Sequence, residues 1–502
     1  MGGRASRWVL PLATFLFFAA TAKGYGVFRD ELYYIACGRH LDWGYVDHPP
    51  LVALLAWLAR GLVGESWIAL RVLVAAAAGA TVLLVGDSAA DLGGGRWARF
   101  VAQLLTATTP VYLSLFSIYS MNAIDVLIWA ALARIVVRIL AGGSERLWLG
   151  FGVLAGVGLE NKIDVGLLGA GLVAGLAASR RFDVLRSPWI WLGGACAAAL
   201  FAPHVVWQAV HGWPTREFVA NAQRHKITAL GPLGFLLRQF ATAGPVGFIF
   251  ALAGMGWLLA TRAARRFRPL GWAALTVFVV LAVSVSKAYY FSPALTLLFP
   301  AAAVALERWT DGRFARPLRT AAIVAVASML VAAPMAKPLL SEDAFIRYSG
   351  ALGVRPGSDE NHRMGRLPQF FADMHGWREL AEAVAAVHAG LPPGDREKTC
   401  VYGQNYGEAG AIDYFGPALG LPPAISQHNA YWMWGPGACT GEVVLIIGGD
   451  REDHLRNFAS VDAAKEFRCA DCMPYESDLT IWVARRLTVS LADAWKGGKH
   501  YD

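Results

Sequence analysis

The sequence predicts a polytopic α-helical membrane protein that carries a separate α/β domain at its carboxyl end. Of its 502 residues, 56% are hydrophobic even without the 53 glycines, and only 16% are charged. Soluble domains are about 45–50% apolar with glycine included and about 25% charged, and disordered chains are less hydrophobic still. Both of those classes are therefore excluded. The long apolar runs stop near residue 340, where the composition changes.

Runs of about 20 apolar residues predict about eleven membrane spans within a transmembrane domain of residues 1–340. The first run also resembles a cleavable secretory signal, because Arg4 and Arg7 precede its apolar core and the small residues Ala20-Thr21-Ala22 resemble a cleavage site. Its length favours an uncleaved helix. The predicted spans are 8–27, 66–90, 97–117, 121–140, 147–160, 163–179, 189–210, 233–260, 270–286, 291–307 and 320–339.

The net charge of +8 comes from basic residues in short loops between the spans. They lie in every second loop, which the positive-inside rule assigns to the cytoplasm. The charge therefore indicates topology and not a nucleic-acid surface, and it places the segment after Leu340 outside. The basic groups are Arg4/Arg7, Arg96/Arg99, Arg134/Arg138/Arg146, Arg180/Arg181/Arg186, Arg262/Arg265/Arg266/Arg268 and Arg308/Arg313/Arg316/Arg319.

Two apolar stretches of the first outer loop are too short to cross a bilayer. Residues 51–60 follow Pro49 and Pro50 and contain Trp57, a residue typical of the headgroup level. We predict that this stretch, and the stretch 32–41 before it, form helices that lie along the membrane surface.

Residues 341–502 have the composition of a folded domain outside the membrane. The apolar periodicity predicts helices at 377–391 and 407–415, and short buried runs predict strands at 399–402, 443–447 and 479–484. Alternating strands and helices favour a small α/β layer.

Four of the six cysteines lie in this domain, and an oxidising compartment allows them to form two disulfides, in one of three possible pairings. The alternative, a zinc site at Cys469 and Cys472, lacks a second Cys-x-x-Cys. The four cysteines are Cys400, Cys439, Cys469 and Cys472.

Most polar residues of the membrane part cluster at the outer ends of the spans. Asp30 and Glu31 directly follow the first span, and ionisable groups at membrane depth are functional candidates. Acidic residues also favour the start of a helix, so the pair alone fits a helix cap and a catalytic site equally well. Further candidates on the same side are Asp47, His48, Asn122, Asp125, Lys162, Arg224, Lys226, Lys287, Tyr289 and Tyr290.

Each candidate also has a purely structural interpretation, since lysines extend to headgroups and tyrosines line membrane interfaces. That interpretation does not explain why the whole set lies on one face. Carboxylates beside cations suit a reaction in which Lys or Arg holds a phosphate-bearing lipid while a carboxylate takes a proton from an attacking hydroxyl.

The ordered series of motifs resembles the family 39-type glycosyltransferases. These are the protein O-mannosyltransferases and their bacterial relatives, among them the lipid A aminoarabinose transferases. In the outer domain the resemblance continues through 406–412, 428–436 and 473–476. In the membrane part it rests on Arg29-Asp30-Glu31-Leu32-Tyr33-Tyr34, Asp47-His48-Pro49-Pro50, Met121-Asn122-Ala123-Ile124-Asp125, Asn161-Lys162, Trp207, His211-Gly212-Trp213-Pro214-Thr215 and Lys287-Ala288-Tyr289-Tyr290.

The resemblance implies a C-type glycosyltransferase with a sugar donor carried on polyprenyl phosphate, acting at the outer face of a bacterial inner membrane. It implies that Asp30 is the catalytic base or the carboxylate that orients the acceptor, with Glu31 beside it. A single displacement is expected to invert the anomeric centre, with a lipid, a glycan or a protein as the acceptor. We expect the donor phosphate to contact Lys162, Lys287, Arg224, Lys226 and His48, although the related lipid A enzymes have Lys in place of His48. We expect the cavity to be lined by Asp47, Asn122, Asp125, Tyr289 and Tyr290.

No metal or other cofactor is expected, because the chain contains no Asp-x-Asp motif of the kind that holds a divalent ion in some C-type relatives.

Two alternative functions remain. A lipid-linked sugar transporter also needs a cationic lipid-phosphate site, but transporters often show inverted repeats, and this sequence does not. The second alternative is a non-catalytic membrane assembly factor that binds a partner protein through the aromatic cluster 431–434.

Overall fold

The computed structural model describes residues 6–312 and 314–502, so Arg4 and Arg313 of the predicted basic groups lie outside the described residues. The first part of the chain is helical. Its α-helices are Val9–Ala20, Arg29–Arg39, Leu51–Val63, Trp67–Asp91, Arg96–Thr108, Pro110–Leu115, Met121–Leu140, Leu147–Leu159, Val165–Ala178, Phe182–Leu185, Pro188–Val210, Pro214–Asn221, Gly231–Thr242, Gly244–Ala260, Arg268–Val283, Leu295–Trp309, Ala315–Ser328 and Ala333–Ala336.

Among the described residues, five helical segments are long and apolar enough to cross a membrane. A sixth candidate is the pair Gly231–Thr242 and Gly244–Ala260, which is bent by 116°. The bend lies at Gly244, whose φ of +74° suits glycine and interrupts the helix. The multi-pass character is confirmed, while the count of about eleven spans stays a prediction. The five segments are Trp67–Asp91, Pro188–Val210, Arg265–Val283, Ala288–Trp309 and Ala315–Ala336.

Two helices form where the sequence predicts short surface helices in a first outer loop. The first, Arg29–Arg39, begins three residues earlier than predicted, because the Glu31 carboxylate accepts a hydrogen bond from the Phe28 N–H at 2.7 Å and so caps the helix start. The second, Leu51–Val63, buries Val52 and Ala53 and exposes Leu62, as a helix with one apolar face toward lipid does.

The carboxyl-terminal part contains a five-stranded sheet with the strand order β2-β1-β3-β5-β4. Strand β1 pairs in parallel with β2 and β3, whereas β5 pairs antiparallel with β3 and β4. The strands are β1 (Thr399–Tyr402), β2 (Ala424–Ile425), β3 (Val443–Ile447), β4 (Phe458–Phe467) and β5 (Leu479–Leu487). The α-helices are Glu342–Ala351, Gln369–Ala372, Trp377–Gly390, Pro393–Arg396, Tyr406–Phe415, Asn429–Trp434, Arg451–Leu455 and Leu491–Gly497.

The sequence predicts β1 and β3 with the bounds that the structure has, and it predicts the start of β5. It misses β2, which has only two residues, and β4. Strand β4 lies at the edge of the sheet and exposes most of its side chains, including Asp462, Lys465 and Glu466. An edge strand of this kind has no buried apolar run. The predicted domain boundary at residue 340 falls between two helices and stays a prediction.

The carboxyl-terminal domain packs directly on the first outer loop. The helix Tyr406–Phe415 lies against the helix Arg29–Arg39, and glycines permit the close approach. A Cβ atom on Gly407 would lie 2.6 Å from Cγ of Arg29. Side chains from both parts of the chain therefore meet around the start of the helix Arg29–Arg39.

Two disulfides join the four cysteines of the carboxyl-terminal part, Cys400 to Cys439 and Cys469 to Cys472. This is one of the three pairings that the sequence allows. The thiols of Cys37 and Cys196 are free. The pairing of Cys469 with Cys472 uses the two sulfurs that the alternative zinc site required.

Candidate active site

Asp30 lies in the first turn of the helix Arg29–Arg39, and its side chain is 34% exposed. The Tyr406 hydroxyl donates a hydrogen bond of 2.9 Å to its Oδ1 atom, and the Arg29 Nε atom lies 3.7 Å from the same oxygen. Arg29 in turn donates to the Tyr475 hydroxyl at 2.9 Å. The carboxylate is thus oriented by the carboxyl-terminal domain and stays open to a ligand.

Glu31 is completely buried and occupies a different environment from its neighbour. Its two carboxylate oxygens accept four hydrogen bonds of 2.7 Å, from Nε and Nη2 of Arg71 and from the backbone N–H groups of Phe28 and Tyr119. Arg71 also donates to backbone carbonyls in the segment 22–26. Because both oxygens are saturated and inaccessible, Glu31 does not face the cavity beside Asp30, where the sequence-based prediction placed it.

The Lys287 ammonium is paired with a residue that the sequence does not indicate. Its Nζ atom lies 2.6 Å from Oε1 of Glu360, in the segment between the helices Glu342–Ala351 and Gln369–Ala372. Burial alone would raise the pKa of Glu360, but hydrogen bonding to His362 and the charges of Lys287 and Lys226 outweigh it and lower that pKa. Glu360 is therefore an anion within a group of cations.

Lys162 forms a second ion-pair group. Its Nζ atom lies 2.7 Å from Asp164, 3.8 Å from Asp125 and 4.7 Å from the centre of the Tyr290 ring. Asp125 is fully buried, and neither of its carboxylate oxygens has a hydrogen-bond partner among the described residues. Asp125 is therefore a buried carboxylate that faces Lys162.

The cations and Asp30 share one region of the protein. Tyr289 lies within electrostatic range of Lys287, Lys162 and Asp30, and Lys226 lies within range of Lys287 and Asp30. Lys226 ends a single turn of π-helix, Ala222–Lys226, a feature frequent at functional sites. Burial lowers the pKa of its ammonium, and no described carboxylate forms an ion pair with it.

The remaining predicted cavity residues surround this region at different depths. Arg224 is exposed on the same π-helical turn as Lys226. Asp47 accepts a hydrogen bond of 2.8 Å from the Tyr33 hydroxyl. Asn122 opens the helix Met121–Leu140, and its buried Oδ1 atom has no hydrogen-bond partner among the described residues.

His48 is the predicted phosphate ligand that the geometry excludes. Its side chain is fully buried, its Nδ1 atom lies 2.8 Å from the Pro49 carbonyl, and its ring stacks on Tyr45 at 4.7 Å. A ring without accessible surface cannot contact a donor phosphate. His48 fixes the turn that leads into the helix Leu51–Val63.

Sequence reasoning misses the residues that the carboxyl-terminal part contributes near Asp30 and Lys287, namely Tyr406, Tyr475, Glu360 and Asp373. Tyr406 and Tyr475 lie in stretches that carry the family resemblance, so a signal existed for them. For Glu360 and Asp373 the sequence contains no such signal. Burial raises the pKa of Asp373 to about 6, although the nearby charge of Arg29 opposes that shift.

Three side chains of the described residues are close enough to hold a metal ion, His428, His500 and Asp502. Their ligand atoms all lie within 4.8 Å of one another. The group lies behind Tyr406, whose backbone N–H donates to Nδ1 of His428 at 3.4 Å. It does not include Asp30.

Comparisons with known proteins agree with this architecture. A profile of the family described as dolichyl-phosphate-mannose-protein mannosyltransferase matches residues 47–207. ArnT from Cupriavidus metallidurans, bound to undecaprenyl phosphate or in the apo state, aligns at 14% sequence identity over 96% of this chain and 98% of that chain, with a TM-score of 0.61. The Archaeoglobus fulgidus oligosaccharyltransferase tethered with an acceptor peptide aligns at 14% identity over 82% of this chain and 64% of that chain, with a TM-score of 0.47. No curated protein matches the sequence.

The protein is therefore a multi-pass membrane protein with the fold of the C-type glycosyltransferases. The resemblance to the family 39-type glycosyltransferases is confirmed, since the matching profile is that of the protein mannosyltransferases and covers the motifs of residues 47–207.

The contrast between Asp30 and Glu31 leads to a stability prediction. Replacing Glu31 with Gln leaves Arg71 without its buried partner, which costs about 3–5 kcal/mol. We expect the Glu31→Gln protein to unfold at a clearly lower temperature in detergent, while Asp30→Asn, with its half-open carboxylate, unfolds close to the wild-type midpoint. Equal midpoints for the two variants would show that Glu31 does not hold the loop.

Proposed function

We propose that the protein transfers a sugar from a polyprenyl-phosphate donor to an acceptor hydroxyl, with inversion, at the outer face of a bacterial inner membrane. The observation that carries the proposal is the accessible Asp30 carboxylate in the same region as the ammonium groups of Lys226 and Lys287. The undecaprenyl phosphate bound to ArnT, which has the same fold, supports a lipid-linked donor.

In the proposed reaction Asp30 is the general base. The acceptor oxygen forms a bond to the anomeric carbon as the bond from that carbon to the phosphate oxygen breaks. Asp30 receives the acceptor proton, and the lipid leaves as a polyprenyl monophosphate. The Tyr406 hydroxyl, 2.9 Å from Oδ1, keeps the carboxylate oriented for this transfer. Glu31 has a positioning role, since it fixes the first turn that carries Asp30.

The cations stabilise the charge that develops on the departing phosphate. Lys226 carries an ammonium without a carboxylate partner among the described residues, and Lys287 shares the carboxylate of Glu360. Arg224 and Lys162 flank these two lysines in the proposed donor site. Positively charged groups that are already in place cost no reorganisation when the bond breaks.

Replacing Asp30 with Asn keeps the shape of the side chain and removes the base. We expect the transfer rate to fall by about 10²–10⁴ while donor binding persists. The assay is transfer of radiolabel from polyprenyl-phosphate sugar in membranes, with Asp183→Asn at an exposed site as the matched control. Near wild-type transfer by Asp30→Asn would remove Asp30 from the catalytic role.

Glu360 provides a test of the phosphate site. Its carboxylate forms an ion pair with the Lys287 ammonium, so a donor phosphate competes with it for the same ammonium. We expect Glu360→Gln to bind polyprenyl phosphate about tenfold more tightly and Lys287→Met about tenfold more weakly, as a gain or loss of about 1.4 kcal/mol. Binding is measured by fluorescence with a labelled polyprenyl phosphate. Arg238→Met, on an exposed pair with Asp359, is the control, and no change in either variant would contradict the assignment.

We also propose that transfer needs no metal ion. Transfer activity is expected to continue in excess EDTA, since the proposed base and cations belong to the protein itself. Loss of activity that Mg²⁺, Mn²⁺ or Zn²⁺ restores would contradict this proposal and would direct attention to His428, His500 and Asp502.

A further inference from the structure

A second cleft lies in the carboxyl-terminal domain, on the face of the sheet that points away from the first outer loop. Along β3, Val443, Leu445 and Ile447 pack into the main core, while Val444 and Ile446 form the floor of the cleft. The helix Leu491–Gly497 lies over one side of it. The cleft has a volume of about 160 Å³.

The walls of the cleft combine aromatic rings with uncharged polar groups. None of its lining residues is Asp, Glu, Lys or Arg, and the Nε2 atom of its one imidazole, His454, lies 2.9 Å from the Gly448 carbonyl. The cleft therefore offers no permanently charged partner for a phosphate, a carboxylate or an ammonium group. The rings and amides that the argument uses are those of Tyr402, Phe458, Trp495, Gln404, Gln427 and Asn457.

Part of this lining is fixed in place. The Gln427 amide accepts a hydrogen bond from the Tyr402 hydroxyl at 2.9 Å and donates to the backbone carbonyl of Ala494 at 2.7 Å, which ties the covering helix to the sheet. The Trp495 ring nitrogen donates to the Trp432 carbonyl at 3.0 Å. The aromatic wall is therefore preorganised before any ligand binds.

Two other side-chain amides in the cleft are not held by hydrogen bonds to other described residues. The side chains of Gln404 and Asn457 line the cleft and form no hydrogen bond with any other described residue. Each amide offers donors and an acceptor at once, as a hydroxyl group requires. Free amides beside fixed aromatic rings suit a ligand that has both hydroxyl groups and apolar C–H faces.

We infer that this cleft binds a neutral saccharide. A sugar ring presents an apolar face to Trp495 or Phe458 and hydroxyl groups to the amides of Gln404 and Asn457. A nucleotide or phosphosugar would need a Lys or Arg, which the lining lacks, and an acyl chain would cover the amides of Gln404 and Asn457 without giving them hydrogen-bond partners. The absence of a permanent charge and the presence of both amides favour an uncharged sugar over these ligands.

Two chain segments connect the cleft to the proposed active site. Gln404 precedes Tyr406 by two residues, and the Tyr406 hydroxyl holds Asp30. Beyond the covering helix, the Tyr501 carbonyl accepts a hydrogen bond of 2.8 Å from Asn221, next to the turn that carries Lys226. If transfer occurs as proposed, a sugar in the cleft is a remote unit of a glycan acceptor. This link rests on the proposed function, whereas the binding site itself does not.

The test is saturation-transfer NMR on the full-length protein in a detergent without a sugar head group. The probes are the methyl glycosides of glucose, galactose, mannose and N-acetylglucosamine at millimolar concentration. We expect at least one of them to receive saturation from the protein. No transfer to any of the four would overturn the inference.

Two single variants place the binding in the cleft. Gln404→Ala and Asn457→Ala each remove one free amide, and each is expected to weaken binding of the positive glycoside about fivefold, the effect of losing one hydrogen bond. Lys496→Ala, on the exposed side of the covering helix, is the matched control and should bind normally. Saccharide binding that neither amide variant weakens would place the site elsewhere and overturn the inference.

A third variant separates this inference from the proposed function. Asp30→Asn should bind the glycoside with unchanged affinity, because Asp30 does not line the cleft. Saccharide binding by a protein without transfer activity would refute the proposed function alone. Transfer activity in a protein that binds none of the glycosides would refute the cleft alone.

Discussion

The buried ion pair between Glu31 and Arg71 determines the arrangement of the first outer loop. Both side chains are almost completely removed from solvent, at 0% and 2% exposed, and desolvation makes such a pair costly unless every polar atom is satisfied. Here two backbone N–H groups and the backbone carbonyls of the segment 22–26 complete the bonding. The pair therefore joins the end of the first helix to the start of the helix Arg29–Arg39.

That pair also accounts for the different environments of two adjacent carboxylates. Successive residues of an α-helix point about 100° apart, so a helix that directs Glu31 into the protein directs Asp30 to another side. Asp30 consequently faces Tyr406 and stays partly exposed. Adjacent Asp and Glu in the sequence fit either a cap or a catalytic pair, and the structure gives the two residues different environments: Glu31 caps the helix and Asp30 remains accessible.

The sequence predicts the helical membrane part and three of the five described strands of the carboxyl-terminal sheet, because long apolar runs and short buried runs are local signals. It also groups Asp30, Lys226 and Lys287 on one side through the alternation of basic loops. It could not distinguish buried Glu31 from accessible Asp30, because the burial of Glu31 depends on its contact with Arg71, which is distant in the sequence. It could not distinguish buried His48 from the lysines either, because the stacking of His48 on Tyr45 depends on the course of the loop. Glu360 was missed for a related reason, since an acidic residue in a charged segment resembles solvent-exposed surface until its contact with Lys287 is seen.

The position of Glu360 explains how a group of ammonium ions persists in a partly buried site. Burial alone lowers the pKa of an ammonium, since it disfavours the charged form. At Lys287 burial is outweighed, because Tyr289 and Glu360 raise the pKa of its ammonium. Burial lowers the pKa of Lys226, which forms an ion pair with none of the described carboxylates. A phosphate that entered this region would offer Lys226 the negative charge that it lacks, and would share Lys287 with Glu360. Lys226 is thus the least compensated cation of the group, and an anionic ligand would relieve it more than Lys287.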